Sequence, residues 1–235
     1  MVESSALNPE TTRVDKSRIA ELLASFLQAP PGPPAALTDA QLGQVSAYLD
    51  LLLRWNARIN LTAVRDPEAM VTRHFGESFF TARQILRSRE AGVGSQDFAL
   101  HVIDLGSGAG FPGLPLKIYA PSLVLTLIES SQKKAAFLKE VVRALRLTDV
   151  DVFAGRAEEF SATADLVTLR AVERYEQALA VAARLVAPGG RLALLIGSPQ
   201  AKRPSELLSG FAWWAPVAIP QSSARVLVVG TNQTG

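Results

Sequence analysis

The chain has 235 residues, of which 48% are hydrophobic and 20% charged, and this balance is ordinary for a globular protein. It contains no cysteine, which excludes disulfides, thiolate metal sites and cysteine nucleophiles. The net charge of +2 is too small to indicate an anionic partner by itself, and no apolar run is long enough to cross a membrane. The N-terminus also lacks the basic and apolar segments of a signal peptide. We therefore expect a cytoplasmic protein that has no metal site and no contact with a membrane.

The first part of the chain is predicted to be a helical extension. Residues 1–14 are polar and are predicted to form a disordered tail, whereas apolar residues recur at helical spacing within 15–98. Thr38–Gln41 has the pattern of a capping box. Asp66-Pro67 predicts another helix start, with the aspartate as the cap and the proline in the first turn.

From residue 99 to residue 235 the pattern changes to alternating strands and helices. The predicted strands lie near 101–105, 123–128, 150–153, 165–169 and 191–196, and the predicted helices near 112–119, 131–146 and 173–186. Residues 187–190 are predicted to form a tight turn into the fifth strand, and 211–214 and 225–229 to form two edge strands. Such alternation favours an α/β domain, with a parallel sheet covered by helices on both faces.

The most informative stretch is 102–113, in which a short apolar run breaks into a glycine-rich turn. Pro112 and Pro115 suit the first turn of a helix, where a missing N–H costs nothing. A strand, a glycine turn and a helix start together form a site for a nucleotide-like ligand, because glycines let the ligand approach backbone amides closely.

The side chains around the glycine turn indicate which ligand it binds. Gly108–Gly113 fits the dinucleotide fingerprint, and Glu129 lies at about the right distance to bind a ribose diol. Asp104, however, would repel a pyrophosphate and suits a ligand that carries an ammonium and a sulfonium. S-adenosylmethionine is therefore favoured over a dinucleotide and over a purely structural turn. A P-loop is excluded, because Leu114-Pro115 replaces its Lys-Ser/Thr pair.

Further polar residues follow the next strands, at the sheet edge where ligands bind in open α/β folds. Glu129 ends the second predicted strand, where its carboxylate is expected to accept both ribose hydroxyls. After the third strand, Ala157 and Glu158 are expected beside the adenine ring, with the carboxylate accepting from its amino group. Arg170 ends the fourth strand, where the transferred methyl is expected to lie.

These residues resemble those of a known family, the bacterial 16S ribosomal RNA guanine-N7 methyltransferases, also called the glucose-inhibited division protein B family. The resemblance runs from about residue 40 to residue 230, and the glycine stretch is its most specific part. It rests on four segments: Trp55-Asn56 with Asn60-Leu61-Thr62, Arg73-His74 with Glu77-Ser78, Asp104–Gly113, and Arg156–Phe160.

The resemblance implies a class-I S-adenosylmethionine-dependent methyltransferase fold, with a mostly parallel seven-stranded sheet and an N-terminal helical extension. It implies S-adenosylmethionine as the methyl donor and a guanine of 16S ribosomal RNA, in the small ribosomal subunit, as the acceptor. We expect a monomer.

The family motif and the strand-end pattern together give the expected site. Arg170 is the expected catalytic residue. The expected cofactor-binding residues are Asp104, Gly106, Gly108, Phe111, Glu129, Ala157, Glu158 and Arg170. The expected RNA-binding residues are Arg156, Arg225, Lys133 and Lys134. The last two belong to 130–146, a stretch with five cations and one acid, for which a solvated helix face is an equal interpretation.

Methylation of guanine N7 agrees with the rest of the composition. The nitrogen offers a lone pair and loses no proton, so the reaction needs no general base. Pyrimidine C5 methylation is excluded because it needs a thiolate, and the signature of amine methylation is absent after the fourth strand. His74 either lines the substrate pocket or is bonded to Glu77 or a backbone carbonyl. Trp55 is interpreted as a buried anchor rather than a base-stacking residue.

Two departures from the family pattern leave other functions open. Ile196 stands where the family usually has a lysine, and Val226 where it usually has a histidine. Loss of one phosphate-contacting cation is expected to weaken RNA binding without affecting the cofactor. The alternatives are a small-molecule methyltransferase and a non-catalytic RNA-binding or assembly module that keeps the cofactor pocket.

Overall fold

A computed structural model describes residues 14–30, 35–90, 99–170 and 175–234. Residues 1–13 of the predicted tail and the first two residues of the helix predicted over 173–186 lie outside the described residues. The helices are α1 (Lys16–Leu27), α2 (Asp39–Asn56), α3 (Pro67–Met70), α4 (Glu77–Glu90), α5 (Gly113–Tyr119), α6 (Gln132–Ala144), α7 (Tyr175–Arg184) and α8 (Arg203–Leu207). The strands are β1 (His101–Leu105), β2 (Val124–Ile128), β3 (Val150–Phe153), β4 (Ala164–Arg170), β5 (Val186–Gly197), β6 (Phe211–Trp213), β7 (Val217–Ala218) and β8 (Arg225–Asn232).

At the starts of α2 and α3, the side chain before the helix accepts a hydrogen bond from a backbone amide of the first turn, as the sequence predicts. Thr38 and Gln41 form the predicted capping box at the start of α2, with both reciprocal hydrogen bonds present. Asp66 caps α3 by accepting from the amide of Ala69 at 2.6 Å, with Pro67 in the first turn. Both predicted helix starts are therefore confirmed.

α3 and α4 are joined by a π-helical segment, Val71–Gly76, so that the chain is helical from residue 67 to residue 90. Gly76 lies against the ring of Phe26 on α1, and a Cβ atom at this position would come within 2.5 Å of that ring. The contact brings α1 close to the segment that carries His74. No pattern in the sequence predicts this π-helical segment.

The sheet has eight strands rather than the seven predicted, because the short β7 adds one at the edge. Its order is β3-β2-β1-β4-β5-β8-β6, and β7 pairs with the same edge of β8 as β6. The first five strands are parallel and β8 is antiparallel to its neighbours. β1 lies between β2 and β4, so the strand order reverses at its carboxyl end. In open α/β sheets this is where a ligand-binding crevice forms.

The first and third predicted strands match β1 and β3, whereas the second, fourth and fifth need small corrections of their bounds, and β7 and α8 were not predicted. β5 begins at Val186 rather than at 191, because Val186 already pairs with Ala164. The predicted tight turn at 187–190 is instead an irregularity within this strand, after which Arg191 pairs with Leu166. Gly189 supplies the positive φ of 72° that this irregularity requires.

Hydrophobic cores cover both faces of the sheet, since successive strand residues point to opposite sides. On one face, side chains of α1, α2, α4, α5 and α6 pack against strand residues such as Val102 and Leu166. On the other face, α7 packs against residues such as Ile103 and Val167. Trp55, at the end of α2, packs edge-on against Phe137 of α6. The helical extension is thus one of the layers that bury the sheet.

In the part of the chain that the structure describes, no helix combines the length and the apolar content that crossing a bilayer requires.

Candidate active site

A crevice of about 670 Å³ opens at the carboxyl ends of the central strands. Most of the residues that the sequence predicts for the site line it: Gly106, Gly108, Phe111, Glu129, Arg156, Ala157, Glu158, Arg170, Arg225 and Lys134. Asp104 and Lys133 are not among the lining residues. The described ranges contain no group of three or more His, Cys, Asp or Glu side chains that could hold a metal ion.

The loop after β1 forms the floor of the crevice and is held by its backbone. Gly106, Gly108 and Gly110 have φ values of 69°, 57° and 88°, in the left-handed region that favours glycine. The amides of Gly106 and Ser107 donate to the carbonyl of Ile128, at 2.9 and 3.0 Å. The loop is therefore fixed to the end of β2.

Glu129 joins two loops on the wall of the crevice. Its Oε2 accepts from the amide of Gly108 at 2.9 Å, and its Oε1 accepts from the amide of Ser131 at 2.7 Å. The residue is only 7% exposed, yet it lines the crevice, and each carboxylate oxygen can accept a further hydrogen bond. Glu129 is thus placed where it can accept hydrogen bonds from the hydroxyl groups of a ligand.

Asp104 lies beneath the glycine loop instead of facing the crevice. Its Oδ1 accepts from the hydroxyl of Thr168 at 2.7 Å and its Oδ2 accepts from the amide of Gly113 at 3.2 Å. Alternation along β1 turns this side chain toward α5, and burial raises its pKa to about 6. Asp104 therefore ties β1, β4 and α5 together and is not among the residues that line the crevice.

Arg170, at the end of β4, is held by a compact set of partners. Its Nη2 donates to the carbonyl of Arg73 at 2.6 Å and lies 3.0 Å from Oε2 of Glu77. The same carboxylate oxygen lies 3.3 Å from Arg225, so one buried acid faces two arginines of the crevice. Burial lowers the pKa of Arg170 to about 10, which leaves the guanidinium charged at neutral pH.

His74 is fixed as a neutral ring in the wall of the crevice. Nη2 of Arg170 lies 3.2 Å from Nδ1, and since arginine can only donate, Nδ1 is the acceptor. The proton is therefore on Nε2, which donates to the hydroxyl of Thr62 at 2.7 Å. Burial, reinforced by the charge of Arg170, lowers the pKa of His74 to about 3. Of the two predicted arrangements, the histidine lines the pocket, and its partners are Thr62 and Arg170 rather than Glu77.

An aromatic stack connects the glycine loop to the helical extension. Phe111 stacks on His74 at 5.0 Å and on Tyr48 of α2 at 5.3 Å, with an angle of 2° between the two six-membered rings. The hydroxyl of Tyr48 donates to the carbonyl of Ala109. A Cβ atom at Gly110 would collide with the same hydroxyl. The loop is thus shaped on one side by β2 and on the other by α2.

Three residues of this site, Glu77, Thr62 and Tyr48, are not among the site residues that the sequence predicts. Glu77 left a signal, because it is a lone acid in the apolar helical run that contains Phe75 and Phe79. Thr62 belongs to one of the four segments that carry the family resemblance, whereas Tyr48 leaves no signal that distinguishes it from an ordinary core residue.

The remaining predicted positions lie outside the crevice or at its rim. Lys133 is exposed on α6, beside Lys134. Glu158 lies 3.5 Å from Arg156, and both side chains are more than half exposed. Ile196 is buried in the apolar cluster on the α7 side of the sheet.

Comparison with solved structures shows the fold. A variant of MtNAS superposes with a TM-score of 0.53 at 14% identity, and covers 93% of this chain and 87% of its own. TYW2 of P. horikoshii, in complex with MeSAdo, superposes with a TM-score of 0.50 at 17% identity, over 63% of this chain and 62% of its own. The predicted class-I S-adenosylmethionine-dependent methyltransferase fold is confirmed.

Comparison of sequences shows the family. A protein from Chloroflexus aggregans named ribosomal RNA small subunit methyltransferase G is 39% identical over 209 residues, which are 83% of this chain and 84% of that protein. A protein of the same name from Xylella fastidiosa is 43% identical over 154 residues, or 65% of this chain and 67% of that protein. The family model described as "GidB: rRNA small subunit methyltransferase G" matches residues 41–208. This chain therefore belongs to the GidB family of rRNA small subunit methyltransferases.

Proposed function

We propose that this protein transfers a methyl group from S-adenosylmethionine to N7 of a guanine in 16S ribosomal RNA. Family membership supports methyl transfer to small-subunit ribosomal RNA. The observation that carries the chemistry is the crevice itself, in which a glycine loop is bonded to the buried Glu129 and basic side chains stand around the opening. The protein works in the cytoplasm, where ribosomal subunits are, and as a monomer.

The residues on one side of the crevice fit the methyl donor. Gly106 and Gly108 leave the floor free of side chains, and Glu129 has unused lone pairs for the ribose hydroxyls. The small side chain of Ala157 leaves room for the adenine ring, and Glu158 can accept from its amino group. When bound, S-adenosylmethionine supplies an electrophilic methyl on a sulfonium. Asp104 supports the loop from beneath.

The residues on the other side fit an acceptor that needs no base. The lone pair of guanine N7 forms the new bond to carbon while the sulfur–carbon bond breaks, and the positive charge moves from sulfur to guanine. No proton leaves. His74 is neutral and both of its ring nitrogens are engaged, in agreement with such a reaction. Catalysis then consists of alignment, which contributes up to about 7–11 kcal/mol.

Arg170 is the proposed catalytic residue at the acceptor position. Its guanidinium is fixed by the carbonyl of Arg73, by His74 and by Glu77, so that it borders the crevice in one orientation. Arg156, Arg225 and Lys134 also line the crevice and are proposed to bind RNA phosphates, together with the exposed Lys133.

The decisive experiment incubates the protein with tritiated S-adenosylmethionine and small ribosomal subunits that lack the modification. We expect label in 16S ribosomal RNA and chain cleavage specific for 7-methylguanosine at one position. Label at a different atom would contradict the N7 assignment. Cofactor binding without labelled RNA would favour the alternatives, a small-molecule methyltransferase or a non-catalytic RNA-binding module, and a screen of metabolite extracts would separate these two.

The donor side is tested by replacing its buried carboxylate. Glu129→Ala removes the acceptor for two loop amides and for the ribose, so we expect donor affinity to fall by about 1–3 kcal/mol. Isothermal titration calorimetry measures this change. Glu159→Ala removes an exposed carboxylate close to the same crevice and serves as the matched control. Equal donor affinity in the two variants would contradict the role given to Glu129.

A further inference from the structure

We propose that the exposed face of α6, and the groove between α6 and β3, bind the RNA strand next to the target guanine; this inference rests on the proposed ribosomal RNA substrate. The surface is named here the α6 groove. It is defined by Lys139, Arg143 and Arg146 at its rim and by the apolar side chains beneath them. It is separate from the crevice and from the RNA-binding residues proposed above.

The α6 groove has the shape and charge of a site for a polyanion. Lys139 and Arg143 are four residues apart on α6, which places them on one face, and Arg146 lies two residues beyond the end of the helix. All three line a groove of about 370 Å³, whose other lining residues include Val142, Val150 and one acid, Asp151. The groove therefore has a net positive charge and an apolar floor.

The three cations are not neutralised within the fold. Two exposed arginines elsewhere are paired with acids, Arg18 with Glu68 at 2.8 Å and Arg203 with Glu176. By contrast, no described acid lies within ion-pair distance of Lys139, Arg143 or Arg146. The acid of α6, Glu140, accepts instead from the indole nitrogen of Trp55 at 3.1 Å. A phosphate backbone would supply the missing counter-charges.

Cations of α6 lie between the crevice and the α6 groove. Lys134, on the first turn of α6, lines the crevice, and the Gln132 side chain donates to the carbonyl of Ala154 at 3.2 Å, next to the crevice loop after β3. From Lys134 to Arg143 the helix rises by about 14 Å at 1.5 Å per residue, and Arg146 lies just beyond the end of the helix. A strand that presents its guanine in the crevice would therefore meet these side chains with its neighbouring phosphates.

The first test removes two charges by Lys139→Gln with Arg143→Gln. Binding of small ribosomal subunits is measured by titration at several salt concentrations. Because each lost single-strand phosphate contact lowers the salt slope by about 0.7, we expect the slope to fall by about 1.4. We also expect KM for the subunits to rise while kcat at saturation is unchanged. Lys16→Gln with Arg18→Gln removes the same charge from α1 and is the matched control.

A second test locates the RNA directly. Because the chain has no cysteine, Ala136→Cys on the exposed face of α6 accepts a single iron–EDTA probe. We expect strand cleavage of 16S ribosomal RNA on one side of the target guanine, and none there from the same probe at Ser17→Cys on α1. The probe cleaves any RNA strand that is bound close to it, so it locates the RNA even if no methyl transfer is found.

The outcomes separate this inference from the proposed function. An unchanged salt slope and KM would overturn it, and would mean that these cations serve only the C-terminal dipole of α6. Absence of RNA cleavage from the α6 probe would also overturn it, as expected if a ribosomal protein occupied the groove. Lack of methylation by the unaltered protein would refute the proposed function. The salt dependence of subunit binding, compared between the α6 variant and the unaltered protein, would still show whether the α6 groove binds RNA.

Discussion

Glu77 is a single acid that faces two arginines, and this makes it the most heavily used residue of the candidate site. It is 3% exposed and lies 3.0 Å from Arg170 and 3.3 Å from Arg225. We expect Glu77→Gln to lower the free energy of unfolding by about 3 kcal/mol, because it leaves the buried Arg170 and the half-buried Arg225 without a counter-charge. Urea unfolding at neutral pH measures the change.

The double variant Glu77→Gln with Arg225→Gln shows whether charge is the cause. Removing one of the two cations relieves their repulsion, so we expect the double variant to be more stable than Glu77→Gln alone. Strictly additive losses would instead mean that packing, and not charge, explains the effect of the single substitution.

Asp104 gives the protein a pH-dependent stability of known sign. Its pKa is raised from 3.8 to about 6, so between these values the unfolded carboxyl ionises while the folded one keeps its proton. Stability contributed by Asp104 is therefore lost as pH rises. Relative to Asp104→Asn, we expect the protein to lose about 2 kcal/mol between pH 4.5 and pH 7.

Urea unfolding of both proteins at the two pH values measures this difference. His74, whose low pKa changes stability with the opposite sign, is present in both proteins and cancels in the comparison. A stability difference that does not vary with pH would show that Asp104 has the same pKa in the folded and unfolded protein.

At this scale the sequence predicts where along the chain the site residues lie better than which way they point. Glu129 and Arg170 follow their strands as expected and line the crevice. Asp104 also ends its strand, but its side chain turns to α5, which depends on the pleat and on the position of a helix formed later in the chain. Tyr48 reaches the loop only through tertiary packing, which no local pattern predicts.

At the scale of elements, the π-helical segment depends on how closely α1 approaches it. We expect Gly76→Ala to lower the free energy of unfolding by about 1–3 kcal/mol, because the added methyl group would overlap the ring of Phe26. Gly43→Ala on α2 is the control, because the nearest atom to its added Cβ would be 3.6 Å away. Since alanine also has the better helix propensity, we expect this variant to be more stable by up to about 1 kcal/mol.

Denaturant midpoints of the two variants measure these effects. Phe26→Leu, combined with Gly76→Ala, makes room for the methyl group and should recover part of the loss. If Gly76→Ala were as stable as Gly43→Ala, the close approach of α1 would not hold in solution.

Most element positions follow from the sequence because they depend on local chemistry, such as the capping box at Thr38 and the apolar strands of the parallel sheet. The exceptions depend on distant partners. The π-helical segment lies under α1, and the start of β5 is set by pairing of Val186 with Ala164 rather than by its own residues. β7 has only two residues and is defined by its pairing with β8.

At the scale of the whole molecule, donor binding should stabilise the folded protein. At a concentration of 100 Kd, S-adenosylmethionine is expected to add about 2.7 kcal/mol, which for a chain of this length raises Tm by about 5–10 °C. NAD at the same concentration should leave Tm unchanged. Differential scanning calorimetry measures both. A rise in Tm with NAD alone would favour the dinucleotide interpretation of the glycine loop.

The bond from Tyr48 to the carbonyl of Ala109 joins residues 61 positions apart in the chain. The pocket floor therefore owes part of its form to a helix that the methyltransferase sheet does not contain. Removing residues up to 98 would remove both the hydrogen bond from Tyr48 and the Tyr48 ring that packs on Phe111. We therefore do not expect the remaining sheet to bind the methyl donor by itself. Searches for substitutions that weaken donor capture should accordingly include α2, well upstream of the glycines themselves.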